Sequence, residues 1–507
     1  LLALAAVFVL NLLLRVFYVR YDFVNGDEAM RALTALGLLE GGRLYVDVVT
    51  DKPPGTTFFY AATFAAFGPS MAAVHLAAIV WNFCTALAVF LAAARLYDRR
   101  IGLWAATIFV YFSTNYLTQD MMAANTELLM ILPATVSFHF FMQSDSGTAP
   151  RRYAMLFLAG LTTGLAMLFK QVAGSNLIFF ALYELVQAPS RSKVRLALLR
   201  LAAVAIGFLM VVALFLLWLM HNGAMGGFWR NAVLLGFQYV GSLPAETFFK
   251  FMIGRTLGYI LFNLALWALA ALAAARALDD DLAVAAWAAC SLIGPPVGRR
   301  FFGHYFIQVL PPLSILAARG MKILGDRLSE SRAARLIARA LILATFVSFF
   351  RFHHRTAILA YEAAVGARTR WSESWGMTKR EREVQQVAQF VRDRIGSGQP
   401  LYIWGYALDV YWRSGCRPAS RYLTPYYVTG RFYPEVTQIE EKDQFWRQAR
   451  LELIDDLRRS RPRLLLNTDE AIWSLPYPEI VEFFTENYRY EGQIGSRPFL
   501  VFALKEE

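Results

Sequence analysis

Apolar stretches of about 17 to 25 residues, each long enough to cross a ~30 Å hydrocarbon layer as a helix, alternate with short polar loops as far as residue 350. The alternation predicts about eleven spans, at 1–19, 71–94, 101–117, 126–142, 153–169, 174–186, 196–220, 255–275, 282–297, 301–318 and 334–350. The stretch from Leu1 has neither a basic region nor a cleavage site, so it reads as the first span, with a few residues expected before it. Beyond residue 350 the periodicity changes. Val384, Val387, Ala388, Val391 and Ile395 mark an amphipathic helix, 401–404 a strand, 445–457 a second helix, and 464–466 and 499–504 further strands. The expected fold class is a polytopic α-helical membrane protein over 1–350, a connector over 351–379, and a small soluble α/β domain over 380–507.

Composition agrees. Of 507 residues, 57% are hydrophobic and 17% charged, which excludes collagen-like, disordered and disulfide-rich classes. The net charge of +12 belongs to the membrane half, because basic and acidic residues nearly balance after residue 350. Alternate loops carry Arg95, Arg99 and Arg100; Arg151 and Arg152; Arg191, Lys193 and Arg195; Arg276; and Arg319, Lys322, Arg327 and Arg332. The positive-inside rule places these loops and the N-terminus in the cytoplasm, and an odd number of spans then puts the soluble domain outside. Such charge suits lipid headgroups and forms no nucleic-acid stripe, so membrane lipids are expected partners and nucleic acid is not. Cys84 and Cys290 lie in apolar spans, and no His or Cys spacing suggests zinc.

Two outer loops, 20–55 and 221–254, are long, and the candidate chemistry begins in the first. Met30, Leu33, Leu36 and Leu39 recur at helical spacing behind Asn25-Gly26-Asp27-Glu28, predicting a capped helix on the membrane face. Asp27 and Glu28 read either as first-turn acids or as carboxylates that accept a proton from an acceptor hydroxyl; their spacing does not say which acts. In Asp51-Lys52-Pro53-Pro54-Gly55 two prolines stiffen the backbone beside Lys52, a phosphate partner or a snorkelling lysine. Glu127 opens an apolar span, where an ionisable group is costly unless paired, with Asn125 as its cap and Asp120 as an alternative acid. Lys170, Arg299 and Arg300 put positive charge on the outer side, where a lipid phosphate could bind. His304, Tyr305 and Gln308 form a polar stripe and, with Asn125 and Asp120, are the expected substrate-binding residues.

Other features have plainer readings. Gly160 and Gly164 predict close helix packing. Phe228, Trp229, Phe237 and Tyr239 read as an interfacial belt. The turn Trp404-Gly405-Tyr406 lacks a glycine-rich phosphate loop, so nucleotide binding is not expected there.

Gly26-Asp27-Glu28-Ala29, Leu44-Tyr45 and Lys52-Pro53-Pro54-Gly55 together resemble the first-loop signature of C-type (GT-C) glycosyltransferases. The nearest look-alikes are bacterial relatives of the protein O-mannosyltransferases and the lipid A aminoarabinose transferases. Asn125-Thr126-Glu127 and Gly303-His304-Tyr305 before Leu310-Pro311-Pro312 extend the likeness over most of the membrane half. The resemblance implies a sugar donor carried on polyprenyl phosphate, an acceptor that is a glycan, lipid or protein, and transfer on the extracytoplasmic face of a bacterial cytoplasmic membrane. It implies Asp27 as the first-loop catalytic acid, Glu28 as its neighbour and Lys52 as the contact to the carrier phosphate. Glu127 takes the place of a second acid, which in some relatives is an aspartate near a divalent metal ion; with glutamate here and no histidine cluster, metal dependence stays open. The expected reaction is single displacement with inversion, with Lys170, Arg299 and Arg300 helping Lys52 to neutralise the leaving phosphate. The rival from another class is a transporter or flippase of a lipid-linked sugar, which predicts acids at mid-membrane depth rather than in loops and at span ends. A scaffold displaying the soluble domain leaves Lys52 and the arginines unexplained.

Overall fold

A computed structural model describes residues 1–188, 190–276, 279–430, 444–468, 477–495 and 499–505. The first part of the chain folds into α1 (Leu2–Arg15), α2 (Gly26–Leu39), α3 (Gly55–Phe67), α4 (Met71–Leu96), α5 (Arg99–Phe112), α6 (Thr126–Gln143), α7 (Ala149–Met167), α8 (Ser175–Val186) and α9 (Arg191–His221). After a run of short helices come α10 (Ala245–Phe262), α11 (Leu264–Ala274), α12 (Asp279–Ser291), α13 (Leu310–Asp326) and α14 (Arg332–Val365).

Among the described residues five helices are long and apolar enough to cross a membrane by length and composition: Leu2–Arg20, Met71–Leu96, Arg191–His221, Gly303–Asp326 and Arg332–Val365. The pair α10 and α11, bent by 88° where they meet, makes a sixth if taken as one span. The sequence pattern gave about eleven. The difference lies in helices such as α5 and α8, 14 and 12 residues long, and α6, which carries Glu127, Pro133 and His139. These helices pack their polar groups against neighbours: Asn176 of α8 accepts from Trp287 Nε1 and donates to the carbonyl of Ala134.

Small residues set the closest helix contact. A Cβ added at Gly160 of α7 would lie 1.8 Å from the carbonyl oxygen of Val204 in α9, and one at Gly207 would lie 2.0 Å from that of Phe157. Only glycine allows these backbones to meet, so the small-residue pair of α7 serves packing.

The C-terminal part contains a five-stranded sheet of β1 (Pro400–Trp404), β2 (Arg417–Pro418), β3 (Leu464–Asn467), β4 (Tyr488–Ile494) and β5 (Phe499–Leu504), in the order β2-β1-β3-β5-β4. β1 runs parallel to β2 and β3, with Leu401 opposite Leu464, and β5 runs antiparallel to β3 and β4. Helices Gly376–Ile395, Gln444–Ser460 and Pro478–Asn487 accompany it, the first two where the apolar spacing predicts them.

This α/β unit is locked to both long loops. Ala29, Met30, Leu33 and Val49 of the first share one apolar core with the sheet. The apolar stripe of α2 therefore meets the α/β unit, where the sequence pattern pointed to a membrane face. From the second loop, Arg230 donates to both carboxylate oxygens of Glu452, at 2.8 and 2.7 Å, and to the Tyr422 hydroxyl at 2.7 Å. Burial pushes the Glu452 carboxyl up, but Arg230 and Tyr422 outweigh it and hold it down at about 2. A depressed carboxyl contributes stability that is full above its ordinary value of 4.5 and is lost as pH falls through about 2. We expect hydrogen-exchange protection at residues 225–241, taken relative to the intrinsic rate at each pH, to fall as pH is lowered from about 5 toward 2, and Glu452→Gln to show reduced protection already at neutral pH.

Candidate functional site

α2 presents three faces. Ala29, Met30 and Leu33 point to the sheet, Ala32 and Ala35 to a core shared with α3 and α4, and Asp27 and Arg31, one turn apart, lie on the third. Asn25 caps the helix, its side chain accepting from the backbone N–H of Glu28 at 3.2 Å. The acid pair is thereby split between two environments.

Glu28 is fully buried. Its Oε2 accepts from the backbone N–H of Val24 at 2.7 Å, and its Oε1 accepts from that of Ala124 at 2.7 Å and contacts His75 Nε2 at 3.0 Å. Burial pushes its carboxyl up, but His75 and the two amides outweigh that and hold it below the usual range. The carboxylate is spent on holding three chain segments together. Asp27 instead leaves 56% of its side chain exposed and touches Arg31 Nη2 at 3.3 Å.

The Lys-Pro-Pro-Gly turn is fixed on the end of α7. The Gly55 N–H donates to the carbonyl of Leu168 at 2.7 Å, and a Cβ there would strike the same oxygen at 2.7 Å. This brings Lys52 to within electrostatic reach of Lys170, which follows α7. Lys52 Nζ contacts Asp51 at 2.6 Å, and the Tyr45 hydroxyl donates to the Lys52 carbonyl at 2.8 Å. Burial pushes the Lys52 ammonium down and the Asp51 carboxyl up, yet their mutual attraction wins on both sides, leaving Lys52 above and Asp51 below the ordinary values.

From the far end of the bundle, His304 Nδ1 meets Asp120 at 2.6 Å, and its Nε2 lies 3.8 Å from Glu127. Glu127 pairs with the Lys170 ammonium, which sits over the Tyr305 ring, 4.1 Å from its centroid. Asp120, His304, Glu127, Lys170 and Tyr305 thus form one connected chain of polar contacts. Arg31 extends it toward α2, within reach of Asp27, Asp51 and Glu127. Asp27, Lys52, Asp120, Glu127, Lys170, His304 and Tyr305, spread over 279 positions of sequence from first to last, meet in one place.

Four other expected ligands are turned to the protein itself. Arg300, fully buried, donates to the carbonyl of Tyr239 at 2.9 Å and to Ser242 Oγ at 3.1 Å, and stacks over the Tyr239 ring. Arg299 donates to the carbonyl of Val240 at 3.2 Å and lies over Phe248. Both brace the loop 221–254. Gln308 leaves the stripe of His304 and Tyr305 to donate to Val172 and Ser175 at 3.1 and 2.8 Å. Asn125 makes no side-chain cap; it accepts from Asn25 and donates to the carbonyl of Asp120. The expected aromatic belt divides as well: Trp229 and Phe237 are exposed, whereas Phe228 packs on Tyr45 and Tyr239 lies under Arg300.

Sequence reading missed Arg31 and Asp51 as members of the site. Arg31 stands four residues after Asp27 on a helix with a marked apolar stripe, which is the one local sign of its position. Among the described residues no group of three His, Cys, Asp or Glu side chains could hold a metal ion. The acids best placed for one, Asp120 and Glu127, face the imidazole and the ammonium instead, so the residues do not fit a divalent metal.

The model of the family Dolichyl-phosphate-mannose-protein mannosyltransferase matches residues 51–218. Among solved structures, ArnT from Cupriavidus metallidurans bound to undecaprenyl phosphate superposes with a TM-score of 0.63 at 15% identity, covering 99% of this chain and 97% of that one. The chain has the C-type glycosyltransferase fold. Apo ArnT gives the same C-type match at a TM-score of 0.62, 14% identity and the same coverage. The archaeal oligosaccharyltransferase AglB from Archaeoglobus fulgidus, in complex with an inhibitory peptide and a dolichol-phosphate, reaches 0.50 at 10% identity, over 99% of this chain and 74% of that one. No curated protein matches the chain. The resemblance read from Asp27-Glu28, Lys52-Pro53-Pro54-Gly55 and His304-Tyr305 is borne out by this C-type fold.

Proposed function

We propose that the protein is an integral membrane glycosyltransferase of the bacterial cytoplasmic membrane, moving a sugar from a polyprenyl-phosphate donor to an acceptor on the extracytoplasmic face. One observation carries the reading: a half-exposed carboxylate, Asp27, stands at the edge of a cluster of buried or part-buried cations, Arg31, Lys52 and Lys170. That is what displacement of a phosphate leaving group requires. The acceptor oxygen attacks the anomeric carbon, the bond from that carbon to the phosphate oxygen breaks, and the phosphate keeps the electron pair. Asp27 takes the acceptor's proton, while Lys52 and Lys170 neutralise the charge growing on the phosphate. Attack opposite the leaving group inverts the anomeric centre. His304, held by Asp120, fixes Glu127 and through it Lys170.

ArnT, whose fold the chain shares, was solved with undecaprenyl phosphate, and this supports a lipid-phosphate donor here. The transporter reading has less support, because Asp27 and Asp51 lie in the long loop 20–55 and Glu127 in the first turn of its helix, rather than within an apolar span. The α/β unit is read as extracytoplasmic because it is locked to the loop that bears Asp27.

Native mass spectrometry of the purified protein tests the donor. We expect co-purified polyprenyl phosphate or its glycosylated form, and a loss of about tenfold or more in occupancy in Lys52→Ala. No bound carrier in either protein would overturn the reading.

A further inference from the structure

Arg31 is the least explained charge of the site. It is 6% exposed, it has one contact to Asp27 at 3.3 Å, and its buried Nε has no hydrogen-bond partner among the described residues. A guanidinium offers five N–H donors in a planar fork, and one left buried and part-satisfied is costly. The contact it does make is weak, because Asp27 is more than half exposed and competes with water. Lys52 and Lys170, by contrast, are each held by a close carboxylate, Asp51 and Glu127. A phosphate entering the cluster meets in Arg31 a cation with unused donors, and two phosphate oxygens match its fork.

We propose that Arg31 is a ligand of the donor phosphate and changes partners as the donor binds. In the empty protein it pairs with Asp27; with the phosphate present it turns to the phosphate and releases the Asp27 carboxylate to the acceptor hydroxyl. No bond to carbon or phosphorus is made or broken in this exchange, which swaps one ion pair for another. It links carrier binding to the arming of the base, so that Asp27 is freed only when a carrier phosphate is in place. The proposal rests on the carrier-phosphate reading above.

The test is binding of undecaprenyl phosphate to the full chain in detergent, measured for wild type, Lys52→Ala, Arg31→Gln, Arg31→Lys, Asp27→Asn and the Asp27→Asn/Arg31→Gln double variant. Arg31→Gln is expected to weaken binding by about tenfold. Asp27→Asn removes the competitor and is expected to tighten binding about threefold or more, and this gain should vanish in the double variant. A purely structural arginine would not produce that dependence. Should Arg31→Gln fail to fold, Arg31→Lys carries the test: an ammonium cannot reproduce the fork, and binding weaker by severalfold is expected. Wild-type affinity in Arg31→Gln, or in Arg31→Lys where that is the variant available, beside weakened Lys52→Ala overturns the role of Arg31 and leaves the carrier reading standing. Tightening by Asp27→Asn that persists without Arg31 overturns the exchange. No binding by the wild type overturns both.

Discussion

Asp27→Asn is expected to lower the rate of sugar transfer by about 10³-fold while the protein stays folded and keeps or tightens its hold on the carrier. An amide keeps the size of the carboxylate and its place at the start of α2, but it cannot take a proton from the acceptor. The helix should tolerate it, since the Asn25 cap is untouched and the side chain is 56% exposed. The measurement is the rate of free polyprenyl phosphate release from a glycosylated carrier in the presence of acceptor, with bound carrier followed separately by native mass spectrometry. Full transfer by Asp27→Asn would remove Asp27 from the mechanism. Loss of carrier together with activity would make it a binding residue instead.

The parts of this site that could be read in advance are those where a charge stands out against its local sequence. Asp27, Lys52, Glu127, Lys170 and His304 each interrupt or border an apolar run, and the cost of leaving such groups unpaired marks them. What brings them together is not local. The close approach of Gly55 to Leu168 sets Lys52 beside Lys170, and no spacing in the sequence reports it. The same holds for the guanidinium of Arg300: two adjacent arginines at a span end look like a lipid-phosphate site, whereas the fold supplies the carbonyl of Tyr239 and Ser242 Oγ from 58 to 61 residues away. Arg31 escaped for the opposite reason. A basic residue one turn after an acid on an amphipathic helix has the look of a solvated ion pair, and only the packing of α2 between sheet and bundle buries it. In the C-terminal part, β1, β3 and β5 are mostly apolar runs and were visible. The edge strand β4 alternates Tyr488, Tyr490 and Ile494 with Arg489, Glu491 and Gln493, but its charges and the bulge between Tyr490 and Gly492, which protect an edge, leave it no apolar run to mark it as a strand.

Glu28→Ala is expected to be far less stable than Asp27→Ala, and the contrast separates the two members of the acid pair. Glu28 gives one acceptor to Val24, just before α2, and another to Ala124, just before α6, while also meeting His75 of α4. Removing it leaves two buried N–H groups and an imidazole without their acceptor, and the cost of emptying such a charged, fully buried position is about 3 to 5 kcal/mol. Glutamine does not repair it. Whichever way the amide is turned, its NH2 group faces one of the two backbone N–H donors, so one amide is still orphaned, at about 1 to 3 kcal/mol. Because Ala124 follows Asp120 in the same loop, loosening this joint frees the residue that orients His304, and activity should fall even in protein that remains folded. Thermal unfolding of the three variants in one detergent is the measurement: the order of stability expected is Asp27→Ala, then Glu28→Gln, then Glu28→Ala. Equal stability of Asp27→Ala and Glu28→Ala would mean that Glu28 is not the joint between these segments, and would return it to the reacting face of the site.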